Sequence, residues 1–210
     1  MKQILKIIKN ENPIFVLMLG LCSSLAVTTK VENAFLMGIS VFIVLLFSEI
    51  VSCMIKKVVP DNVKIPVYIV IIGTFVTILE IILKEYINPL YNALSIYLPL
   101  IVVNCIVLGR VLSVSTKSNI KTSIKDSIGI SMGYMLALIL IALFREILGN
   151  NTITLIDSLS EITSFKLIIN VFPENSLIPM SFMISPAGAF IVLGILMALF
   201  NHIGGKNESN

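Results

Sequence analysis

The chain has 210 residues, of which 57% are hydrophobic and only 13% are charged, with a formal charge of +3. Soluble domains have roughly 45–50% apolar and about 25% charged residues, so this composition, with a mean hydropathy of +1.01, indicates an integral membrane protein. It excludes a disordered chain, a secreted disulfide scaffold and a nucleic-acid-binding module. The three cysteines are an odd number, which favours thiols or metal ligands over a disulfide framework.

Six long apolar stretches follow one another along the chain. A helix needs about 20 residues to cross a hydrocarbon core about 30 Å thick, and a continuous rather than alternating apolar pattern predicts helices instead of barrel strands. We therefore expect an all-α integral membrane protein with six transmembrane helices in a single membrane domain over residues 1–210. The predicted spans are 14–29, 34–55, 65–85, 92–114, 127–148 and 180–202.

The first predicted span is short and interrupted. Pro13 precedes it, and Gly20 and the two serines after Cys22 lie inside it, as in a broken membrane helix. Six spans divide into two sets of three, and an odd number per set makes the second set enter the membrane from the opposite face. This arrangement predicts two inverted repeats, at about 13–85 and 91–203, with the first helix of each half broken.

The lysines between the spans predict the orientation. Ten of them precede span one, follow spans two and four or end the chain, and three fall on the other side. By the positive-inside rule both termini lie in the cytoplasm. The long connection at 149–179 then faces outward, and its part from Leu155 to Phe172 mixes apolar and charged residues as an interfacial helix does.

Two cysteines occupy corresponding positions in the two halves. Cys22 lies in span one and Cys105 in span four, beside the polar residues Ser23 and Asn104. They can be packing residues, a disulfide, which such depth disfavours, or metal ligands. Two thiolates are half of the four that a [2Fe–2S] cluster requires, so the metal interpretation demands a second chain with its own pair. Cys53 has no counterpart, and we expect it to pack.

Several charged residues lie inside or near the spans. Glu80 is the most interior carboxylate and is either a proton or sodium ligand or the partner of Lys84 one turn on. Glu49, near the end of span two, is expected to extend toward water or toward Lys56 and Lys57.

Charges at other span ends have simpler interpretations. Asp126 precedes span five, where a helix dipole favours a negative charge. We expect Arg145 and Glu146 to form an interfacial pair or a subunit contact. For Arg110, five residues after Cys105, we expect headgroup anchoring, with compensation of the charge of a metal site at Cys105 as the alternative. His202 stands alone beyond the last span, so we expect a solvated helix end rather than a metal ligand.

Several sequence segments resemble one membrane-protein family. It contains the E and A subunits of the Rnf complex and the D and E subunits of the sodium-pumping NADH:quinone reductase. IPVYI, PLIVVNC and PAGAF look more like the E-type protein of Rnf, whereas CSSLAVTTK resembles the D-type protein of the reductase. The segments that carry the resemblance are Asn12-Pro13, LGLCSSLAVTT (19–29), KIPVYIVII (64–72), PLIVVNCIVLGR (99–110), REILGN (145–150) and SPAGAF (185–190).

The resemblance implies a site and partners. In this family the corresponding cysteines bind an intramembrane [2Fe–2S] cluster shared with a homologous A-type subunit, which makes Cys22 and Cys105 the ligands here. It also implies association with the B, C, D and G subunits of Rnf, and an ion pathway that includes acidic residues at the positions of Glu80 and Asp126. No glycine-rich dinucleotide motif is present, so neither flavin nor NAD is expected on this chain.

The function that follows is electron relay across the membrane in an ion-translocating ferredoxin:NAD oxidoreductase, coupled to sodium or proton export. The D-type protein of the sodium-pumping quinone reductase, with the same cluster and another electron acceptor, is the first alternative. A redox-silent transporter or channel component is the second, because inverted repeats and Glu80 suit it equally well.

Overall fold

The computed structural model describes residue 14 and residues 19–86, 88–115, 119–150, 152–156, 167–170 and 185–204. Most of these residues are helical, and two short strands form one ribbon. A 3-10 turn at Asp61–Val63 precedes the third helix, and a π-helical turn at Val111–Ser115 follows the sixth. The helices are α1 (Leu21–Val27), α2 (Val31–Ile55), α3 (Lys64–Tyr86), α4 (Asn88–Leu94), α5 (Leu98–Val102), α6 (Cys105–Arg110), α7 (Ile120–Asn150) and α8 (Pro186–Gly204).

Three helices, α2, α3 and α7, are long and apolar enough to cross a membrane. They coincide with the predicted spans two, three and five, because each span is a long apolar run that a helix can complete without external hydrogen bonds. Two shorter apolar helical segments, Leu98–Val114 and Pro186–Leu199, fall within predicted spans four and six. The predicted helical membrane-protein class is therefore confirmed.

The core of the fold is an antiparallel pair formed by α2 and α7. Gly38 lies against Met135, and Cys53 lies against Ser123, 3.1 Å between Sγ and Oγ. A Cβ atom on Gly38 would come within 2.5 Å of the Met135 Cγ, so glycine permits the close approach of the two helices at this level.

Helix α3 lies at the outside of this core. Only 17% of its apolar stretch is buried, against 56% for α2 and α7. Large apolar side chains such as Ile65, Val70 and Ile81 are exposed. An exposed apolar surface of this kind suits contact with lipid or with another membrane protein.

The predicted fourth span is not one helix. The chain leaves the helical conformation between α5 and α6, where Asn104 is extended and its side chain accepts a hydrogen bond from the Ile106 N–H. Asparagine competes with helical hydrogen bonding and favours such a cap, so an interruption is present where the sequence predicts a broken helix. In the first half, Gly20 precedes α1 in the left-handed conformation.

The helix that contains the fifth predicted span is longer than the span. Helix α7 starts at Ile120 rather than at residue 127 and includes Lys121 and Lys125, which are exposed. Charged residues end an apolar run, but lysine is a good helix former, so the helix continues past the apolar stretch.

The interfacial helix expected from Leu155 to Phe172 is wrong for the residues that the structure describes there. Thr152–Ile156 and Leu167–Asn170 form an antiparallel ribbon, β1 and β2, in which Ile153 pairs with Ile169. Alternate threonine and isoleucine residues favour strands because β-branched side chains lose rotamer freedom in helices. The connection at 157–166 lies outside the described residues.

Candidate functional site

Two short helices, α1 and α6, begin next to each other. Gly20, the residue before α1, has φ of 76°, and a Cβ atom there would lie 2.5 Å from Ile106 Cδ1 and 3.3 Å from Asn104 Oδ1. A side chain would therefore be strained by the left-handed backbone and would overlap with α6. Glycine at position 20 allows the first turns of the two helices to come into contact.

A buried hydrogen-bond network joins these first turns. The Asn104 Nδ2 donates to the Ser23 Oγ at 3.1 Å, while the Ser23 hydroxyl donates to the Gly20 carbonyl at 3.0 Å. Because the single Ser23 proton is used in that bond, Tyr134 on α7 donates its hydroxyl to Ser23 Oγ, at 2.6 Å. Ser23 thus uses one donor and two lone pairs, and it connects α1, α6 and α7.

The two cysteines predicted as ligands lie beside this network. Cys22 is the second residue of α1 and Cys105 is the first of α6, and both are exposed in the isolated chain. Their neighbours Ser23 and Asn104 are hydrogen-bonded to each other. The structure therefore brings the cysteine-bearing turns together and leaves both thiols accessible to another molecule.

Cys53 has a different environment. It is buried, and its sulfur lies 3.1 Å from the Ser123 hydroxyl, between α2 and α7. A position inside a helix interface suits the packing role expected from the sequence.

The chemistry of the donor set fits half of an iron–sulfur site. Among the described residues, no group of three or more His, Cys, Asp or Glu side chains is arranged to hold a metal ion. Two thiols on neighbouring helix starts are half of the four that a [2Fe–2S] cluster takes. A second chain with two thiols would complete the set.

Arg145 anchors the other end of α1. It is 1% exposed, and its Nη1 donates to the Leu25 carbonyl at 3.1 Å and to the Thr28 Oγ1 at 2.6 Å. Its Nη2 donates to the Ser185 carbonyl at 3.2 Å, at the start of α8. The guanidinium group thereby satisfies carbonyls left open at the end of a helix.

Glu146 is also buried, and its Oε2 accepts a hydrogen bond from the Val31 N–H at 2.8 Å, in the first turn of α2. The interfacial pair or subunit contact expected for Arg145 and Glu146 is therefore wrong: both side chains hold α1, α2 and α8 in place inside this chain. The sequence signal for this buried structural role is two consecutive residues of opposite charge in an apolar helix.

The two acidic residues predicted for an ion pathway lie in different surroundings. Asp126 on α7 forms an ion pair with Arg110 on α6, 3.3 Å between Oδ1 and Nη2, with both side chains mostly buried. Arg110 therefore pairs inside the protein, where headgroup anchoring was expected. Glu80 on α3 is half-buried and accepts a hydrogen bond from Tyr91 at 3.4 Å, and Lys84 lies over the ring of Tyr91.

Sequence reasoning missed the environment of Glu49. This residue was expected to extend toward water or toward Lys56 and Lys57, but its side chain is 0% exposed. It faces Ser127, Asp126 and Arg110. Hydropathy alone does not reveal this, because the partner residues come from α6 and α7.

His202 falls within α8, but its side chain is outside the described residues.

Known proteins resemble this chain over nearly its whole length. A family model described as "Rnf-Nqr subunit, membrane protein" matches residues 1–197. The chain is 40% identical over 201 residues to the E subunit of the Na(+)-translocating ferredoxin:NAD(+) oxidoreductase complex of Acetobacterium woodii, covering 96% of this chain and 95% of that protein.

Two further relatives are E subunits of complexes named ion-translocating oxidoreductase. That of Methanosarcina acetivorans is 37% identical over 195 residues, covering 93% of this chain and 87% of the relative. That of Pasteurella multocida is 36% identical over 202 residues, covering 95% and 88%. These matches confirm the resemblance found in the sequence, including its closeness to the E type, and the chain belongs to the Rnf-Nqr family of membrane subunits.

Proposed function

We propose that this chain is the E-type membrane subunit of an ion-translocating ferredoxin:NAD oxidoreductase, in which Cys22 and Cys105 hold half of a [2Fe–2S] cluster. The observation that carries the proposal is that both thiols are exposed while their neighbours Ser23 and Asn104 are buried and hydrogen-bonded. A rigid buried support beneath accessible ligands is the arrangement that a metal site requires.

The other two thiolates come, in this proposal, from a homologous A-type subunit that meets this face of α1 and α6. Such a cluster, when bound, takes up and releases one electron and so divides a transfer across about 30 Å of hydrocarbon into two shorter steps. The residues of this chain orient the two thiolates through Gly20 and Asn104 and exclude water beneath them. The B, C, D and G subunits are the further partners implied by the family.

The chain in this proposal forms six spans in two inverted halves, 13–85 and 91–203, with both termini in the cytoplasm of a bacterium and sodium or protons exported. The support comes from α1 and α6, which belong to different halves, begin at adjacent positions and carry one exposed cysteine each. Structures built on inverted repeats place functional groups at the junction of the halves, on interrupted helices.

Glu80 and Asp126 remain the proposed carboxylates of an ion pathway. The ion pair between Asp126 and Arg110 is 12% and 15% exposed at its two side chains, and such partly buried charges inside a membrane protein mark ion or proton routes. Glu80 lies on α3, whose surface is largely open to lipid or to a partner protein.

The test compares three cysteine variants in the purified complex. Cys22→Ala and Cys105→Ala are expected to lose the [2Fe–2S] cluster, measured as iron and acid-labile sulfide per complex and as an electron paramagnetic resonance signal on reduction. Cys53→Ala is the matched control, because its sulfur is buried between α2 and α7. Equal iron content in all three variants and the wild type would contradict the proposal.

A further inference from the structure

The interface between α2 and α7 contains a buried carboxylate whose oxygens make no hydrogen bond among the described residues. Both Oε atoms of Glu49 are in this state, and the side chain is 0% exposed. Glu49 lies six residues before the end of α2 at Ile55, which corresponds to about 9 Å along the helix. A carboxylate enclosed in protein at this depth requires a counterion or a proton.

Buried hydroxyl groups in the same state lie on the same two helices. Ser48 and Ser52 lie one turn apart on α2, and Ser127 and Ser131 lie one turn apart on α7; all four are buried, and none has a hydrogen-bond partner within the described part of the chain. Ser127 faces Glu49, but its hydroxyl and the carboxylate lie outside hydrogen-bond geometry. The hydroxyl of Tyr68 on α3 is also buried without such a partner.

Two other buried serines of this protein bond to a carbonyl one turn earlier in the chain. The Ser40 hydroxyl donates to the Leu36 carbonyl at 2.9 Å, and that of Ser24 donates to the Gly20 carbonyl at 2.8 Å. Such bonding to a carbonyl one turn earlier is the usual solution for serine in an apolar helix. Ser48, Ser52, Ser127 and Ser131 do not use it. Of these four, Ser127 faces Glu49 from α7 and Ser52 lies one turn after it on α2, so their oxygens are available to a ligand of Glu49.

The charges around Glu49 indicate a monovalent cation. The charged groups that act on it are Asp126 and Arg110, and these two form an ion pair with each other at 3.3 Å. When Glu49 is ionised, these three groups sum to one negative charge. A single positive charge balances the cluster, whereas a divalent ion would leave it with an excess.

Oxygen chemistry favours a metal cation over a proton at this site. A protonated carboxyl group accepts hydrogen bonds but donates only one, through its O–H, so it reaches the lone pairs of a single hydroxyl oxygen. A hard cation binds several carboxylate and hydroxyl oxygens at once. One turn away from Glu49 and Ser127, the side chains of Cys53 and Ser123 are in contact at 3.1 Å, so a ligand held between α2 and α7 at this level has to be small.

We propose that Glu49, with the hydroxyls of Ser52 and Ser127, forms a binding site for a dehydrated sodium ion between α2 and α7. All of these ligands belong to this chain. The role of the site in ion export rests on the proposed function. Helix α7 links this site to the cysteines. Tyr134 lies seven residues after Ser127, or about 10 Å along the helix, and it donates a hydrogen bond to Ser23, the neighbour of Cys22.

The experiment measures binding of radioactive sodium ions to the purified intact complex by equilibrium dialysis, at constant ionic strength set with choline chloride. The wild type is expected to bind sodium, and Glu49→Gln to bind one ion fewer per complex or to bind it at least about tenfold more weakly, as loss of the main anionic ligand of a hard cation implies. Glu85→Gln is the matched control, because Glu85 is an exposed carboxylate on α3 and its loss should leave binding unchanged.

A second variant covers the case in which Glu49→Gln does not assemble. The double variant Ser52→Ala and Ser127→Ala keeps the carboxylate and removes two oxygen ligands, and we expect weaker sodium binding with an unchanged amount of complex. Wild-type sodium binding by Glu49→Gln or by the double variant would overturn the proposal, as would a wild type that binds protons at this carboxylate but no sodium.

The same samples separate this inference from the proposed function. Iron content and the paramagnetic signal report the cluster, and sodium dialysis reports the cation site. Loss of sodium in Glu49→Gln with wild-type iron supports the cation site alone. A wild-type complex that binds sodium through Glu49 but contains no cluster would contradict the proposed function and leave the cation site standing.

Discussion

The side chain of Asn104 donates a hydrogen bond to the hydroxyl of Ser23, 3.1 Å away, across 81 positions of sequence. The same asparagine caps α6 through its Oδ1, which accepts from the Ile106 N–H. One side chain therefore determines both where α6 begins and where it lies relative to α1. The relative position of Cys22 and Cys105 depends on this bond.

Replacing Asn104 by alanine is expected to destabilise the complex by about 1 kcal/mol through loss of the helix cap. Loss of the hydrogen bond to Ser23 adds to this destabilisation. A double-mutant cycle with Ser23→Ala isolates the second contribution, for which we expect a coupling of about 1 kcal/mol. Thermal or denaturant unfolding of the purified complex measures it, and strictly additive effects of the two substitutions would refute a direct bond.

Substitution of Gly20 by alanine is expected to destabilise the protein strongly. The left-handed conformation at φ of 76° costs an L-residue about 1–2 kcal/mol, and overlap with Ile106 Cδ1 adds to this. Gly194→Ala is the matched control: nothing lies within 4 Å of a Cβ atom there, and alanine favours a helix over glycine by about 0.5–1 kcal/mol. Unfolding temperatures of the two variants should therefore move in opposite directions.

Removal of iron is expected to change the reactivity of two cysteines and not of the third. In the detergent-solubilised complex, Cys22 and Cys105 should react with N-ethylmaleimide only after iron is removed by a chelator under reducing conditions. Cys53 should stay unreactive in both states because it is buried. Mass spectrometry of peptides reads out all three sites, and equal labelling of Cys22 before and after iron removal would argue against ligation.

Arg145→Met is expected to lower the yield and the unfolding temperature of the complex. The variant removes the donors to Leu25, Thr28 and Ser185, and hydrogen bonds from a charged group each contribute about 1.5–3 kcal/mol. Arg145→Lys should restore only part of the loss, because lysine lacks the planar fork that reaches several acceptors. Lys125→Met, at an exposed position of α7, should change stability by no more than about 0.5 kcal/mol.

The long helices were predictable from the sequence because their cause is local. Spans two, three and five contain apolar runs that match α2, α3 and α7, and hydrocarbon admits no other regular structure for a single segment. Asn104 also signals locally, through its tendency to cap a helix. By contrast, the start of α7 at Ile120 was missed because hydropathy detects the apolar run and not the helix that extends beyond it.

The environment of single polar residues was not predictable, because it depends on which helices meet. Glu49 was expected to reach water, yet α7 encloses it. Arg145 and Glu146 were expected at an interface, yet they bond to α1, α2 and α8. The positions of Cys22 and Cys105 were suggested by their symmetry, but the contact between their helices through Gly20 and Ile106 required the structure.

The length of α7 has a consequence for access to the membrane interior. Its 31 residues extend over about 46 Å, whereas the hydrocarbon layer is about 30 Å thick and common helix tilts of about 20° absorb little of the difference. The end that carries Lys121 and Lys125 therefore rises into the headgroup region. Ser127 and its neighbour Glu49 then lie just beneath that surface, so an ion from the aqueous phase loses its water only a short distance before it reaches them. Tyr134 lies deeper along the same helix.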